Sequence, residues 1–360
     1  MVSSPDSLAN TDRPAVAAHV FSEAPARVYW ELTRACDLAC RHCRASATPF
    51  RDREELTTEE GLALIEQLEE LDPGVLVLTG GDPFKRPDLD VLISAAVGRG
   101  LRVAVAPSVT PLLTADRIQR LADLGVCRIA LSLDGPDGET HDRFRGTPGS
   151  FDATRAAITA VRAADVPLQI NTSLTRATVE ELPRTAAVVA DVAPALWSVF
   201  VVVPVGRARL EPQLGPHACE RVFEFLYAWS ERTGLPVKTT AAPAYRRVVL
   251  RREAMRRDRT RPRRPRPSPV NDGKGFVFVS HRGDVQPSGF LPLTTGNVRD
   301  ERLADVYRRS RLFRALRDER RLGGKCGVCP FRSLCGGSRA RAYAMTGDFL
   351  AQDPACAYVP

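Results

Sequence analysis

Short apolar runs and amphipathic stretches take turns along most of the chain. Runs at 28–32, 75–78, 101–106, 127–133, 168–173 and 196–203 have the length and β-branched content of buried strands. Between them apolar residues recur at helical spacing. Leu62, Ile65 and Leu68 mark one face of a helix over 57–71, with Thr57 or Thr58 placed to cap it. Further helices are predicted over 89–98, over 114–124 with Gly125 as its stop, and over 150–164, 179–190 and 217–233. Strand–helix alternation of this kind builds a parallel sheet with helices packed against it. Six units predict an α/β fold, a partial (β/α)6 TIM-like barrel, with functional residues at the C-terminal ends of the strands.

Composition sets the surroundings of that barrel. At 360 residues and 44% hydrophobic content the chain is long enough for a barrel and a smaller domain. No apolar run approaches a membrane span. The net charge of +8 is local: 246–269 holds eleven arginines against Glu253 and Asp258, a charge of +9, so the rest carries −1. With Pro262, Pro265, Pro267 and Pro269 in its second half, that stretch reads as a solvated connector, and no nucleic-acid motif accompanies it. The expected order is a mobile arm over 1–27, the barrel over 28–240, an Arg/Pro-rich linker over 241–270 and a small C-terminal domain over 271–360. Nine cysteines without a secretory signal read as metal ligands in a reducing cytoplasm.

Three of those cysteines, Cys36, Cys40 and Cys43, form a C-x3-C-x2-C run directly after the first strand. Three thiolates can hold three irons of a [4Fe–4S] cubane, leaving the fourth iron open to a substrate or cofactor. Zinc is the alternative, but it favours four ligands, and His42 is wedged between two cysteines and poorly placed to close a tetrahedron. A disulfide would need an oxidising compartment. After the second strand comes Thr79-Gly80-Gly81-Asp82-Pro83, where a glycine pair lets the backbone approach a ligand closely. Ser132-Leu133-Asp134-Gly135 closes the fourth strand and precedes His141-Asp142-Arg143-Phe144-Arg145-Gly146. Asn171 ends the fifth strand, and Pro204-Val205-Gly206-Arg207 follows the sixth.

On these motifs the chain resembles the radical S-adenosylmethionine (radical SAM) enzymes. The resemblance implies that Cys36, Cys40 and Cys43 bind the cluster and that the amino and carboxylate groups of S-adenosylmethionine chelate its open iron. One electron then cleaves the sulfonium to a 5′-deoxyadenosyl radical. It implies cofactor contacts from Gly80, Gly81 and Asp82, where the family more often has Glu, and from Ser132, Asp134 and Arg145. Asn171 reads either as a ribose contact or as strand-end punctuation, and the 204–207 segment either as passing near the adenine or as punctuation. A flavodoxin- or ferredoxin-like protein would be the reductant.

Near the C-terminus stands Cys326-x2-Cys329-x5-Cys335-x20-Cys356. By itself the set suits zinc or a second iron–sulfur cluster. It resembles the SPASM or twitch extension of radical SAM enzymes, which implies an auxiliary [4Fe–4S] cluster. The full pattern would have another cysteine near Arg339 and one where Ser288 closes the segment 283–288, so one auxiliary cluster is expected. Cys127 and Cys219 read as packed thiols.

The tail from Cys335 to Cys356 resembles tetrapyrrole-modifying members of the iron-coproporphyrin decarboxylase and heme d1 type. That implies hydrogen abstraction from a propionate followed by loss of CO2, with Arg339 and Arg341 either pairing propionates or anchoring the final helix. Peptide-modifying maturases share the architecture, but the ~27 residues before the first strand are too few for a peptide-recognition domain. A non-catalytic iron–sulfur carrier is the third reading, and it has no use for a glycine pair beside an open-iron triad.

Overall fold

The computed structural model describes residues 21–256 and 267–360. Six parallel strands stand where the apolar runs predict them: β1 (Arg27–Glu31), β2 (Val75–Thr79), β3 (Val103–Val105), β4 (Arg128–Ser132), β5 (Leu168–Leu174) and β6 (Leu196–Val201). Three more extend the sheet: β7 (Val237–Thr240), β8 (Phe276–Val279) and β9 (Val285–Gln286). The strand order is β7-β6-β5-β4-β3-β2-β1-β8-β9. All neighbours are parallel except the hairpin β8–β9. β8 pairs with β1 from Arg27↔Phe276 to Trp30↔Val279, so the C-terminal part of the chain is hydrogen-bonded into the barrel sheet.

The helices follow from the same periodicity. They are α1 (Thr58–Leu71), α2 (Leu89–Gly98), α3 (Ala115–Asp123), α4 (Gly138–Arg145), α5 (Ser150–Ala163), α6 (Leu182–Val192), α7 (Pro216–Thr233) and α8 (Tyr245–Met255). The C-terminal part adds α9 (Leu303–Arg309), α10 (Arg311–Arg317), α11 (Gly324–Val328) and α12 (Arg339–Thr346). Thr57 caps α1 through a reciprocal box with Glu60, and Thr114 caps α3. On β1, Val28 and Trp30 are fully buried and pack with Leu64 and Ile65 of α1. Arg27, Tyr29 and Glu31 alternate to the opposite face, where Tyr29 stacks on Phe276 of β8 at 4.7 Å.

Two expected boundaries change. The mobile arm was expected over 1–27. Residues 1–20 lie outside the described residues, but 21–26 are fastened to the C-terminal part. The Tyr307 hydroxyl donates to Phe21 O at 2.7 Å, and Arg308 Nε donates to Glu23 O at 2.9 Å. The first half of the expected linker is α8. Its arginines meet acids one helix earlier, Arg247 with Glu220 at 2.5 Å and Arg252 with Glu224 at 2.6 Å, while Val248 and Val249 are buried. The part of the charge run within α8 therefore forms one half of a salt-bridged helix pair. Pro262 and Pro265, on which the connector reading leaned, lie outside the described residues.

Candidate active site

The cysteine loop leaves β1 and is fixed from several directions before any side chain is considered. Gly81 N donates to Thr33 O and Asp82 N to Ala35 O, both at 2.7 Å. A Cβ on Gly80 would lie 2.5 Å from Thr33 O, and one on Gly81 would lie 2.4 Å from Ala35 O. The glycine pair thus lets the end of β2 dock on the loop backbone. Cys36 N bonds Thr48 O at 2.8 Å. From the turn after β6, Arg207 donates to Cys43 O, Cys40 O and Ala47 O at 2.9–3.0 Å. Gly206, at φ 56°, sits where a Cβ would strike Arg44 O. The 204–207 segment, with passage near an adenine as one of its two readings, spends Gly206 and Arg207 on clasping the cysteine loop. The preceding Val201, Val202 and Val203 reach the cavity instead.

That cavity, about 220 Å³, lies at the C-terminal ends of the strands. Cys36, Cys40 and Cys43 line it with Gly80, Gly81, Ser132, Arg145 and Asn171. Asp82 and Asp134 do not. Asp82 is fully buried and accepts from Thr110 Oγ1 at 2.7 Å and from Phe84 N at 3.2 Å, capping a short 3-10 turn. Burial raises its pKa. Asp134 is a junction behind the cavity. It accepts from Ser173 N at 2.7 Å and Arg145 Nη1 at 3.3 Å, with His42 Nε2 3.7 Å away. Sequence reading could not foresee either placement, because short acids after strands serve as caps as often as ligands.

His42 stacks on Phe144 at 4.1 Å and 4°. His141 Nδ1 accepts from Asp134 N at 3.1 Å, so its neutral form is the one held. Burial pushes His141 down to about 4. Its folded pKa lies below the unfolded value near 6.5, so the stabilisation is complete above about pH 6.5 and drains as pH falls towards 4. The shift corresponds to about 3 kcal/mol at most. Urea midpoints are expected to drop more steeply between pH 6.5 and 4.5 for the natural chain than for His141→Gln, which keeps an acceptor without titrating. Equal slopes would remove His141 from the acid response.

The thiols suit metal ligation. Burial raises the pKa of Cys36 and Cys40, so bare thiolates are disfavoured there and a cation would be needed to ionise them. The sulfurs of Cys36 and Cys43 are nonetheless met by donors: Leu38 N at 3.4 Å from Cys36 Sγ and Ala47 N at 3.5 Å from Cys43 Sγ. The Asp134 carboxylate, 3.3 Å away, helps hold Arg145 positive against its own burial. A second cleft is lined by Cys326, Cys329, Cys335 and Cys356 with Arg247, Lys325 and Tyr358. Here too backbone N–H groups lie 3.4 Å from three sulfurs: Asp353 to Cys326, Phe331 to Cys329 and Gly337 to Cys335. Burial pushes Cys335 up to about 12. Among the described residues no three His, Cys, Asp or Glu side chains converge on a single-ion position.

Arg339 and Arg341 do not reach the first cavity. Arg339 is 1% exposed and donates to Phe349 O and Ala351 O. Arg341, 2% exposed, donates to Ala241 O and Val201 O. They anchor the tail, as the second of the two expectations had it. Cys219 is a packed thiol on α7, raised to about 11 by burial.

Residues that sequence reading passed over also face the first cavity. Ser108, after β3, donates to Gly81 O at 2.7 Å and lies 3.4 Å from Cys36 Sγ. Arg44, Ser173, Phe200 and Phe290 complete the wall. The signal for Ser108 and Ser173 was their place at strand ends. Phe290 had none, since its approach depends on β8 closing against β1. A larger cavity of about 660 Å³ opens at the other end of the strands, near Arg27 and Lys238. It touches neither cysteine set, and chemistry in barrels of this kind belongs at strand C-termini.

The model of the radical SAM superfamily matches residues 30–189. An AdoMet-dependent heme synthase from Methanosarcina barkeri is 37% identical over 94% of this chain and 98% of its own length. One from Oleidesulfovibrio alaskensis is 38% identical over 92% and 87%. A pre-heme d1 synthase from Dinoroseobacter shibae is 26% identical over 91% and 85%. Among solved structures, Streptococcus suis SuiB bound to S-adenosylmethionine superposes with a TM-score of 0.72 at 16% identity, covering 93% of this chain and 78% of that one. Native anSMEcpe with bound AdoMet gives 0.70 at 14%, covering 92% and 93%, so the fold is shared where sequence has diverged. With a heme synthase matching at this identity over nearly its whole length, and the cysteine loop seated at the strand ends of a partial barrel, the chain belongs to the radical SAM superfamily of enzymes.

Proposed function

We propose that this enzyme oxidatively decarboxylates propionate side chains of a tetrapyrrole. The observation that carries the reading is full-length similarity, at 37–38% identity, to proteins named AdoMet-dependent heme synthase. PqqA peptide cyclases match at 28–30%, so the peptide reading is the weaker one. In this reading Cys36, Cys40 and Cys43 hold one [4Fe–4S] cluster and Cys326, Cys329, Cys335 and Cys356 hold a single auxiliary one. When bound, the first cluster and S-adenosylmethionine supply one-electron sulfonium cleavage and hydrogen-atom abstraction.

The protein's own part is positional. Gly80 and Gly81 expose backbone to the cofactor. Ser132 and Asn171 offer hydroxyl and amide groups for ribose or amino contacts. Arg145, buttressed by Asp134, is oriented to fork onto the methionine carboxylate. Buried Asp134, His42 and Phe144 keep that arginine and the loop in register. A propionate that loses one hydrogen atom and then CO2 becomes a vinyl group and releases one electron. A second redox-capable site in the same chain suits that surplus, and a flavodoxin- or ferredoxin-like protein would serve as reductant. No helix among the described residues is long and apolar enough to cross a membrane, and a cytoplasmic setting accords with two sets of reduced thiols.

Reduced, reconstituted protein should form 5′-deoxyadenosine from S-adenosylmethionine faster when iron-coproporphyrin III is added. Mass spectrometry should then show the porphyrin lighter by carboxyl groups. An unaltered porphyrin and an unstimulated rate would reject the assignment.

A further inference from the structure

We propose that Arg44 holds a carboxylate of the substrate. The inference rests on the tetrapyrrole reading and names the side chain that would recognise the acid. Arg44 follows Cys43 and lines the first cavity on its β1–β8 side, whereas Arg145 lines it beside β4. Its backbone is gripped from the turn after β6. Arg207 N donates to Cys43 O, and Gly206, in the left-handed region, leaves room for Arg44 O.

The guanidinium is held as tightly. Nη1 meets Glu31 Oε2 at 2.9 Å, and the group lies over Phe278 at 4.8 Å and near Phe290 at 6.0 Å from their ring centres. Gly289 makes the space: a Cβ there would come within 2.9 Å of Nη1. Glu31 is itself shared, its other oxygen 3.1 Å from His281 Nδ1. Burial pushes the Glu31 carboxyl up, but Arg44 and His281 outweigh it and the net shift is downward, so the anchor is a carboxylate.

Among the described residues, Glu31 is the single acid paired with Arg44, through a charge contact to Nη1. The side chain is 20% exposed and belongs to the cavity lining, which leaves a part-exposed, fixed guanidinium available to a ligand. What surrounds the guanidinium sets the ligand's chemistry. Phe200 and Phe290, 6.3 Å apart, and Val201–Val203 form an apolar wall beside the cation. A flat apolar body with acids at its rim fits this arrangement, and a neutral peptide segment does not use the charge.

The test is optical titration of the reconstituted protein, with iron-coproporphyrin III and with its tetramethyl ester, in one detergent buffer. The natural chain should bind the acid more tightly than the ester. Arg44→Met should weaken binding of the acid ~10- to 100-fold, the scale of a charged hydrogen-bond pair, and leave the ester within about twofold. Arg44→Lys retains the charge on Glu31 but loses the fork, and should give an intermediate loss confined to the acid. Iron content of each variant separates a lost contact from a lost loop. Equal weakening of acid and ester in both variants, or no weakening in either, overturns the assignment to Arg44. A natural chain that binds neither porphyrin overturns the tetrapyrrole reading and this inference with it.

Discussion

Replacing Cys36, Cys40 and Cys43 together by alanine is expected to lower bound iron from about eight to about four per chain, and 5′-deoxyadenosine formation to background. The residual four are the internal control, because Cys326, Cys329, Cys335 and Cys356 line a separate cleft with its own backbone donors. The loop itself should survive the change. Its hydrogen bonds to Gly81, Asp82, Thr48 and Arg207 are made by backbone carbonyls and amides that alanine keeps. The loss is therefore a ligand loss, and far-UV circular dichroism should be unchanged. Anaerobic iron quantitation and chromatography of the nucleoside check it. Zinc in place of iron at the triad of the natural chain, or cleavage persisting in the variant, would contradict the cluster assignment.

The second large effect comes from a single methyl group. Gly81→Ala is expected to reduce S-adenosylmethionine cleavage about 100-fold while the C-terminal iron remains. The added Cβ would lie 2.4 Å from Ala35 O and 2.7 Å from both Ala35 C and Arg34 O. All three are backbone atoms, so no side chain can swing aside. Relief requires parting β2 from the cysteine loop. That gives up the bonds from Gly81 N to Thr33 O and from Asp82 N to Ala35 O, each worth about 1 kcal/mol, on top of overpacking of about 1–3 kcal/mol. About 3 kcal/mol is a factor of roughly 100 in occupancy of the competent loop. Gly98→Ala is the matched control: a Cβ there meets nothing within 4 Å and α2 gains a better helix former. A Gly81→Ala protein as active as Gly98→Ala would show that the close approach is unnecessary.

These two sites mark what could be read from sequence. Regular strand–helix alternation gave the first six strands because each apolar run has to be buried on both faces, and α2 has the predicted bounds 89–98. Cysteine spacing is local, so both thiol sets were visible before folding. Three kinds of information were not local. α4 is short and polar on most sides, with His141 buried against Phe151 of α5 and Phe144 against His42 of the cysteine loop. α8 looked like a charged connector until Glu220 and Glu224 of α7 appeared opposite its arginines. Asp82 and Asp134 carry the right chemistry for a cofactor, yet their turns direct them to Thr110 and Arg145. Arg44 was hidden in the same way: Glu31 of β1 defines it together with Phe278 and Gly289, which come from one segment far along the chain.

The clasp of Arg207 on Cys40 O joins positions 167 residues apart. During synthesis the three cysteines leave the ribosome long before the segment after β6 that secures two of their carbonyls. Until then β2 and Thr48 can hold the base of the loop, while Cys40 O and Cys43 O lack their donors. Iron that arrives after this segment has docked would meet a finished socket. Cellular machinery that inserts the cofactor would thus be acting on a nearly complete barrel.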